Sequence, residues 1–529
     1  MPAPPRAHAA RPRRSSGLRL GHRFSCQRSS HPSGLVRSRR RLARRYPTAP
    51  ARCLRKTARR RGHSPPPLNP VAAWLILERV FGERESRMAT EGAAAPRGAE
   101  TLALGFGTSV AMWFVGYLCR MPPAVVPSWL LALLLLGCLA GGGFVAGRLG
   151  TRGWRSGLAA GLLSSVVNLL ILGSLLGGAR ADHIVPSALW WLPGSLLVGA
   201  ALASAGAVVG AATRAGRARA VNWTGALAGV AASATLLQLL VGGLVTSEGA
   251  GLSVVDWPNS FGYNMFLYPL SRMTGGVYYE HAHRLFGSLV GLTTVVFAAH
   301  LLVAERRTWV KRLGLAAVAA VIVQGILGGL RVTGGFTLST SPSAMAPSST
   351  LAVVHGVLGP AFFGLMVALA AVTSTAWTSG AGPLANPRAR SLQAFGTVLV
   401  GAVLVQIVLG AIQRQFARGL DAHVGFAVVV LALALVFGAR LSRLGGEWSL
   451  LGTLGRVITA AVTVQVMLGL AALFAVETRV VGAPRAAWDV LLTTLHQAGG
   501  SVLLGCAVLG AVWSRRLLLQ GESPAPPAG

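Results

Sequence analysis

Residues 279–303 read YEHAHRLFGSLVGLTTVVFAAHLLV, and no Asp, Glu, Lys or Arg occurs after Arg284 in that stretch. An apolar run of about 20 residues is the length that crosses a bilayer as a helix. This one carries a polar head, Glu280-His281-Ala282-His283-Arg284, where the span begins. The same apolar length recurs along the chain, which is 53% hydrophobic and 12% charged, about half the charged fraction of soluble domains. Tryptophans fall near the ends of such runs, as at Trp190, Trp191 and Trp513, where interfacial aromatics belong. Twelve spans are predicted. Four come first, at about 102–119, 124–147, 157–178 and 187–212. Eight follow, at about 222–245, 279–303, 313–332, 350–376, 392–413, 422–439, 453–475 and 490–513.

The last eight spans contain a repeat. Their odd-numbered members carry a Gln-x-x-[Leu/Val]-Gly element: Gln238–Gly242, Gln324–Gly328, Gln406–Gly410 and Gln465–Gly469. Each even-numbered member carries a histidine near its start: His283, His355, His423 and His496. His283 and His423 are 140 apart, and His355 and His496, like Gln324 and Gln465, are 141 apart. One duplicated four-helix unit accounts for all three separations. The expected fold is therefore an all-α polytopic membrane protein. It has a four-span accessory module over 102–215 and an eight-span core built from repeats at 222–376 and 392–515.

The net charge of +34 raises the possibility of a nucleic-acid partner, so its location matters. Before Met88 there are 22 Lys+Arg against Glu78, Glu83 and Glu85, or +19; the remainder holds 27 basic and 12 acidic residues, or +15. Most of the excess thus sits in an Arg/Pro/Ser-rich leader, 1–87, with no apolar period and no means of packing a core. It reads as a basic tail on anionic lipid, as a transit peptide, or, the favoured reading, as upstream sequence preceding a start at Met88. A nucleic-acid role is not expected. Basic clusters follow alternate spans: Arg148/Arg152/Arg155, Arg214/Arg217/Arg219, Arg306/Arg307/Lys311/Arg312, Arg388/Arg390, Arg440/Arg443 and Arg515/Arg516. By the positive-inside rule both termini are cytoplasmic, and the loop 246–278 is external. The cysteines, at 26, 53, 119, 138 and 506, form no CxxC or CxxCH, so neither a thiolate metal site nor covalent haem attachment is signalled.

An intramembrane histidine is costly and usually functional, although one alone is as readily a hydrogen-bonded helix contact. Four at matching places in two repeats point further. Facing helices can present two neutral imidazoles to opposite sides of one iron and clamp a flat macrocycle, giving one haem pocket per repeat. Zinc favours clustered ligands, and no cysteine lies near these positions. Glu280 and His283 share a helix face, and Arg284 follows Glu280 by four. Arg284 then holds a haem propionate or pairs with Glu280, which is placed to act on a substrate as acid, base or electrostatic stabiliser. His281 points elsewhere, and His183 and His300 take structural readings. The loop Gly249-Ala250-Gly251-Leu252-Ser253-Val254-Val255-Asp256-Trp257-Pro258 is expected to form a tight turn returning over the pocket.

Together these features over residues 222–515 resemble the heme A synthase family. The resemblance rests on the two four-helix repeats, Glu280/His283/Arg284 as Glu-x-x-His-Arg, the glycine-rich loop ending in Asp256-Trp257-Pro258, and the histidines of the fourth, sixth and eighth core helices. It implies oxidation of a methyl group of haem O to the formyl group of haem A for a haem-copper terminal oxidase. It also implies substrate haem ligation by His283 and His355, a permanent electron-relaying haem b on His423 and His496, and Glu280 as the catalytic carboxylate. Haem O synthase would supply the substrate, and a quinol or ferredoxin would donate electrons. The expected setting is a lipid bilayer, the bacterial plasma membrane before the mitochondrial inner membrane, and a homo-oligomer is compatible. The chain departs from the family at Val254 and Ser260, where many members have a cysteine pair, which excludes a thiol-based step. It also departs at Thr246, often Arg, and at Glu248, commonly Thr. The alternatives are a di-haem b-type electron carrier or quinol oxidoreductase, and a haem-free transporter whose histidines carry protons. The first four spans match no named module; Gly141-Gly142-Gly143 there predicts close helix packing.

Overall fold

The computed structural model describes residues 98–521 except 124, 179, 182, 215, 217–219, 381, 445–448 and 481. The leader 1–87, the alternative start at Met88, Cys26, Cys53, Arg217 and Arg219 lie outside the described residues. Twelve helices among the described residues are long and apolar enough to cross a membrane, and the protein is an all-α integral membrane protein. They are α1 (Gly98–Arg120), α2 (Ser128–Leu149), α3 (Trp154–Leu176), α4 (Ala188–Ala212), α5 (Trp223–Ser247), α6 (Gly275–Ala304), α7 (Thr308–Thr333), α8 (Ser349–Thr373), α9 (Ala389–Phe416), α10 (Leu420–Ser442), α11 (Ser449–Glu477) and α12 (Ala487–Leu517). Most run a few residues past their apolar cores, because polar end residues continue the backbone ladder into the interface. The eighth span is shorter than expected. It stops at Thr373, where Ser374 accepts a hydrogen bond from Trp377 N at 3.2 Å and starts a separate turn, Thr375–Ser379.

Helices α5 to α8 close a ring in which each packs on the next and α8 returns to α5; α9 to α12 close a second. The rings meet where α12 lies against α5 and α8, and α9 against α8. Asn222 ties one ring shut, accepting from Gly225 N at 3.0 Å and donating to the Thr373 carbonyl at 2.7 Å. Two short strands, β1 (Leu384–Asn386) and β2 (Leu518–Gln520), pair in parallel and pin the chain after α12 beside the start of α9.

Between helices in lipid there is little hydrophobic driving force, so close packing of small residues does the work. In the accessory module, α2 and α4 meet where a Cβ on Gly143 or Gly147 would collide with the backbone of Ala203 or Ala207. Gly142 is likewise closed off by Thr108 of α1, whereas Gly141 has open space around it, so two of the three glycines act as predicted. The module docks through α1 on α5. Tyr117 stacks on Tyr278 with ring centroids 5.4 Å apart, and the Tyr278 hydroxyl donates to the Tyr117 carbonyl at 2.5 Å.

Candidate functional site

Each Gln-x-x-x-Gly element folds onto one histidine of the following helix. Gln238 of α5 donates to the His283 carbonyl of α6 at 3.1 Å, and Gln324 of α7 to that of His355 on α8 at 2.8 Å. Gln406 of α9 donates to the His423 carbonyl of α10 at 2.8 Å, and Gln465 of α11 to that of His496 on α12 at 3.0 Å. One turn on, the glycine makes room for the ring. A Cβ on Gly242, Gly328, Gly410 or Gly469 would lie 2.8, 3.0, 2.9 or 2.9 Å from Cε1 of His283, His355, His423 or His496. The sequence repeat is thus a cradle used four times: an amide holds the histidine backbone, and a missing side chain seats its imidazole.

The cradles aim the rings at one another. His283 and His355 have centroids 6.3 Å apart at 90°, and His423 and His496 have centroids 6.2 Å apart at 88°. Two metal–imidazole bonds of about 2 Å each, laid in line, plus the half-width of each ring, span about 6 Å between ring centres. The spacing therefore fits one iron between each pair. Unused polar atoms agree: Nδ1 of His283 and His355, and Oε1 of Gln238, Gln324, Gln406 and Gln465, are buried without partners. An imidazole that gives one nitrogen to iron keeps an N–H on the other, and a half-turn of the nearby amide offers it an oxygen. Among the described residues no three His, Cys, Asp or Glu side chains converge on a point. A haem requires no such cluster, because the porphyrin supplies four nitrogens and the protein only the axial pair.

Beside the first pair stands Glu280, buried, with one oxygen accepting from Val254 N at 3.0 Å and the other from Arg284 at 3.0 Å. Arg284 also donates to the carbonyls of Asp256 at 2.7 Å, Asn259 at 2.9 Å and Val254 at 3.2 Å. Of its two sequence readings, the structure shows the ion pair and adds a clamp on the loop. The turn itself is closed by Asp256, fully buried, whose carboxylate accepts from Phe261 N at 2.6 Å and Gly262 N at 2.8 Å. Trp257 packs its indole on Gly329 of α7, stacks on Phe336 at 4.8 Å and pairs its backbone with Thr337. The loop is thereby stitched to α6 and α7 over the His283–His355 pair.

Residues 225–423 match the COX15-CtaA family model, cytochrome oxidase assembly protein. The match runs from the start of α5 to His423, so the COX15-CtaA segment holds three of the four histidines together with Glu280, Arg284, Asp256 and Trp257. The resemblance read from the sequence is met there, and the matched family is one of cytochrome oxidase assembly. No curated protein matches the chain.

The two histidine pairs are not equivalent. A shift of 140 maps His283 to His423, Glu280 to Leu420 and Arg284 to Val424, so the second pocket lacks the carboxylate and its arginine. The departures have local uses. Ser260 bonds Nδ1 of His281 at 3.1 Å, which fixes that ring in the loop packing against Tyr268 and away from the facing pair. Burial holds the Tyr268 phenol above its usual range, partly offset by the charge of Arg272. Glu248 closes α5, its backbone N–H donating to the Leu244 carbonyl at 2.8 Å. Arg414 and Arg485 both donate to the Thr246 carbonyl, and Arg485 also to that of Ser247, capping α5 from the second ring where its own terminal arginine is missing. His300 bonds Thr224 at 2.8 Å, as a structural histidine does. Arg331, Arg414 and Arg485 are not among the residues the sequence singles out; for Arg331 and Arg414 the available signal is charge in the last turn of a helix that also carries a Gln/Gly cradle, and Arg485 has no such signal.

Proposed function

We propose that this protein is a heme A synthase: it oxidises a methyl group of haem O to the formyl group of haem A, and its product serves assembly of cytochrome oxidase. The observation that carries the reading is a carboxylate, Glu280, held beside one of two facing imidazole pairs and absent from the other. On this reading His283 and His355 hold the substrate haem, and His423 and His496 hold a resident haem b. A haem b held by His423 and His496 would supply one-electron chemistry.

The protein's own part is positioning and proton handling. Methyl to formyl replaces two C–H bonds by one C=O bond; with dioxygen as oxidant and oxygen source, two successive insertions each consume one O2, two electrons and two protons and release one water. The resulting gem-diol then loses water, a step that a carboxylate base assists. Val254 N–H and the Arg284 guanidinium fix the direction of the Glu280 carboxyl group, which suits it to accept a proton and to stabilise positive charge developing nearby. The 248–274 loop, clamped by Arg284 and Asp256, covers that carboxylate. With Val254 and Ser260 in place of a cysteine pair, no thiol takes part. The proposed setting is a bacterial plasma membrane with both termini cytoplasmic, haem O delivered by its synthase, and a quinol or ferredoxin as electron donor.

Pyridine haemochrome spectroscopy with haem extraction, on protein produced alongside haem O synthase, tests this. Haem b together with accumulating haem A is expected. Glu280→Ala should retain haem b and lose haem A. Haem b with no conversion of haem O would favour the di-haem electron carrier, and absence of haem would overturn both.

A further inference from the structure

Arg331 stands three residues beyond Gly328, on the face of α7 that cradles His355 and one turn nearer the loop. Its guanidinium lies beneath Gly251, where a Cβ would come within 3.1 Å of both terminal nitrogens. Its charge is coupled to Glu280, His283 and His355. Among the described residues it makes a single hydrogen bond, 3.4 Å long, to the Gly251 carbonyl. Its neighbours are already engaged: Arg284 serves four acceptors, and both oxygens of Glu280 are taken.

A guanidinium has five N–H donors in a planar fork, and half-buried Arg331 spends only one of them, on a long bond, which leaves the fork open to an anion. The anion that matches the fork is a carboxylate, which it binds through two parallel bonds. A porphyrin clamped between His283 and His355 carries its carboxylates on one edge. Resting on the haem reading of this pocket, we infer that Arg331 binds a propionate of the substrate and thereby fixes which edge of the macrocycle faces the loop and which ring methyl faces Glu280. Arg331 is a positioning residue. The repeat offers no counterpart, since a shift of 141 places Ala472 at the equivalent position.

The test uses the full chain carrying His423→Ala and His496→Ala, purified haem-free, so that only the first pocket reports. It is titrated optically with ferric haem b and with its dimethyl ester, whose propionates are neutral. The parent should bind the ester about tenfold or more weakly, the range of a lost charge-assisted hydrogen bond. Arg331→Gln should weaken the free acid by a similar factor and bring the ratio near one, while Arg331→Lys keeps part of the preference. Equal affinities in the parent, or a preference that survives Arg331→Gln, overturns the inference. A parent that binds neither compound overturns the haem reading of the pocket itself. If the histidine variants fail to fold, the comparison is made in the otherwise unaltered chain. There Arg331→Gln must change one of two binding phases and spare the other; any other pattern overturns the inference.

Discussion

At the scale of single residues, the site depends on groups that touch the histidines rather than on the histidines alone. Gln465 holds the His496 carbonyl at 3.0 Å and sets its amide nitrogen 3.2 Å from the ring Nδ1, so it governs both the direction of the imidazole and the state of its second nitrogen. Partners of this kind typically carry about 10–100-fold of metal affinity. Gln465→Leu should therefore lower haem affinity in the second pocket by that factor, seen by optical titration, with the helices intact by circular dichroism. Arg284 poses a different problem. It is 11% exposed at its side chain and pairs with Glu280 at 3%. Removing one partner of a buried pair leaves the other uncompensated, at about 3–5 kcal/mol. Arg284→Ala should lower the thermal midpoint in detergent by several degrees, and Glu280→Gln/Arg284→Ala together should recover part of it. No recovery would mean that the loop carbonyls, not the carboxylate, are what Arg284 chiefly serves.

At the scale of elements, the cradle explains what could be read from the chain. A helix that presents a glutamine and then, one turn on, a glycine leaves a mark at fixed spacing. Four copies at matching separations made the duplicated unit and its histidines legible before any coordinates. The pairing of His283 with His355, rather than with His423, was legible only as a consequence of the repeat, and the ring geometry supports it. Arg331 was not legible. A single arginine in the last turn of an apolar helix reads as an interfacial charge favourable to the helix dipole, and only the loop folding back to place Gly251 over it reveals the pocket. Thr246 misled for a related reason: its side chain suggested a lost contact, while the contact is made to its carbonyl by arginines far along the chain. The cradle also predicts a selective lesion. In Gly410→Ala the added carbon would stand about 2.9 Å from His423 Cε1 and push the ring toward His496, closing the 6.2 Å spacing between the two ring centres. The chain should then bind one haem instead of two by pyridine haemochrome stoichiometry, retaining the first pocket. Loss of both would show that the pockets do not assemble independently.

At the scale of the whole molecule, the question is what α1 to α4 contribute. All four cradles, both facing pairs and Glu280 lie in α5 to α12, and among the described residues their hydrogen bonds come from α5 to α12 and the loops between them. The module is nevertheless joined to the first ring. Trp113 and Tyr117 of α1 pack edge-on against Phe286 of α6 at 5.6 and 5.7 Å, and the Tyr279 hydroxyl donates to the Pro122 carbonyl at 3.1 Å. Tyr278, Tyr279 and Phe286 sit on the same helix as Glu280 and His283, so the module braces the helix that carries the chemistry, from the side away from the second ring. A brace predicts a graded, one-sided effect. A chain beginning near residue 220 should still fold and bind haem in the second pocket with unchanged affinity. Its first pocket should bind more weakly, and its thermal midpoint should fall, because α6 loses its aromatic contacts and α5 an entire packed face. Tyr117→Ala in the full chain should move the first pocket in the same direction by less. Equal weakening of both pockets would instead mean that the module stabilises the bundle as a whole, and no change in either would leave it a part joined to the core without acting on the site.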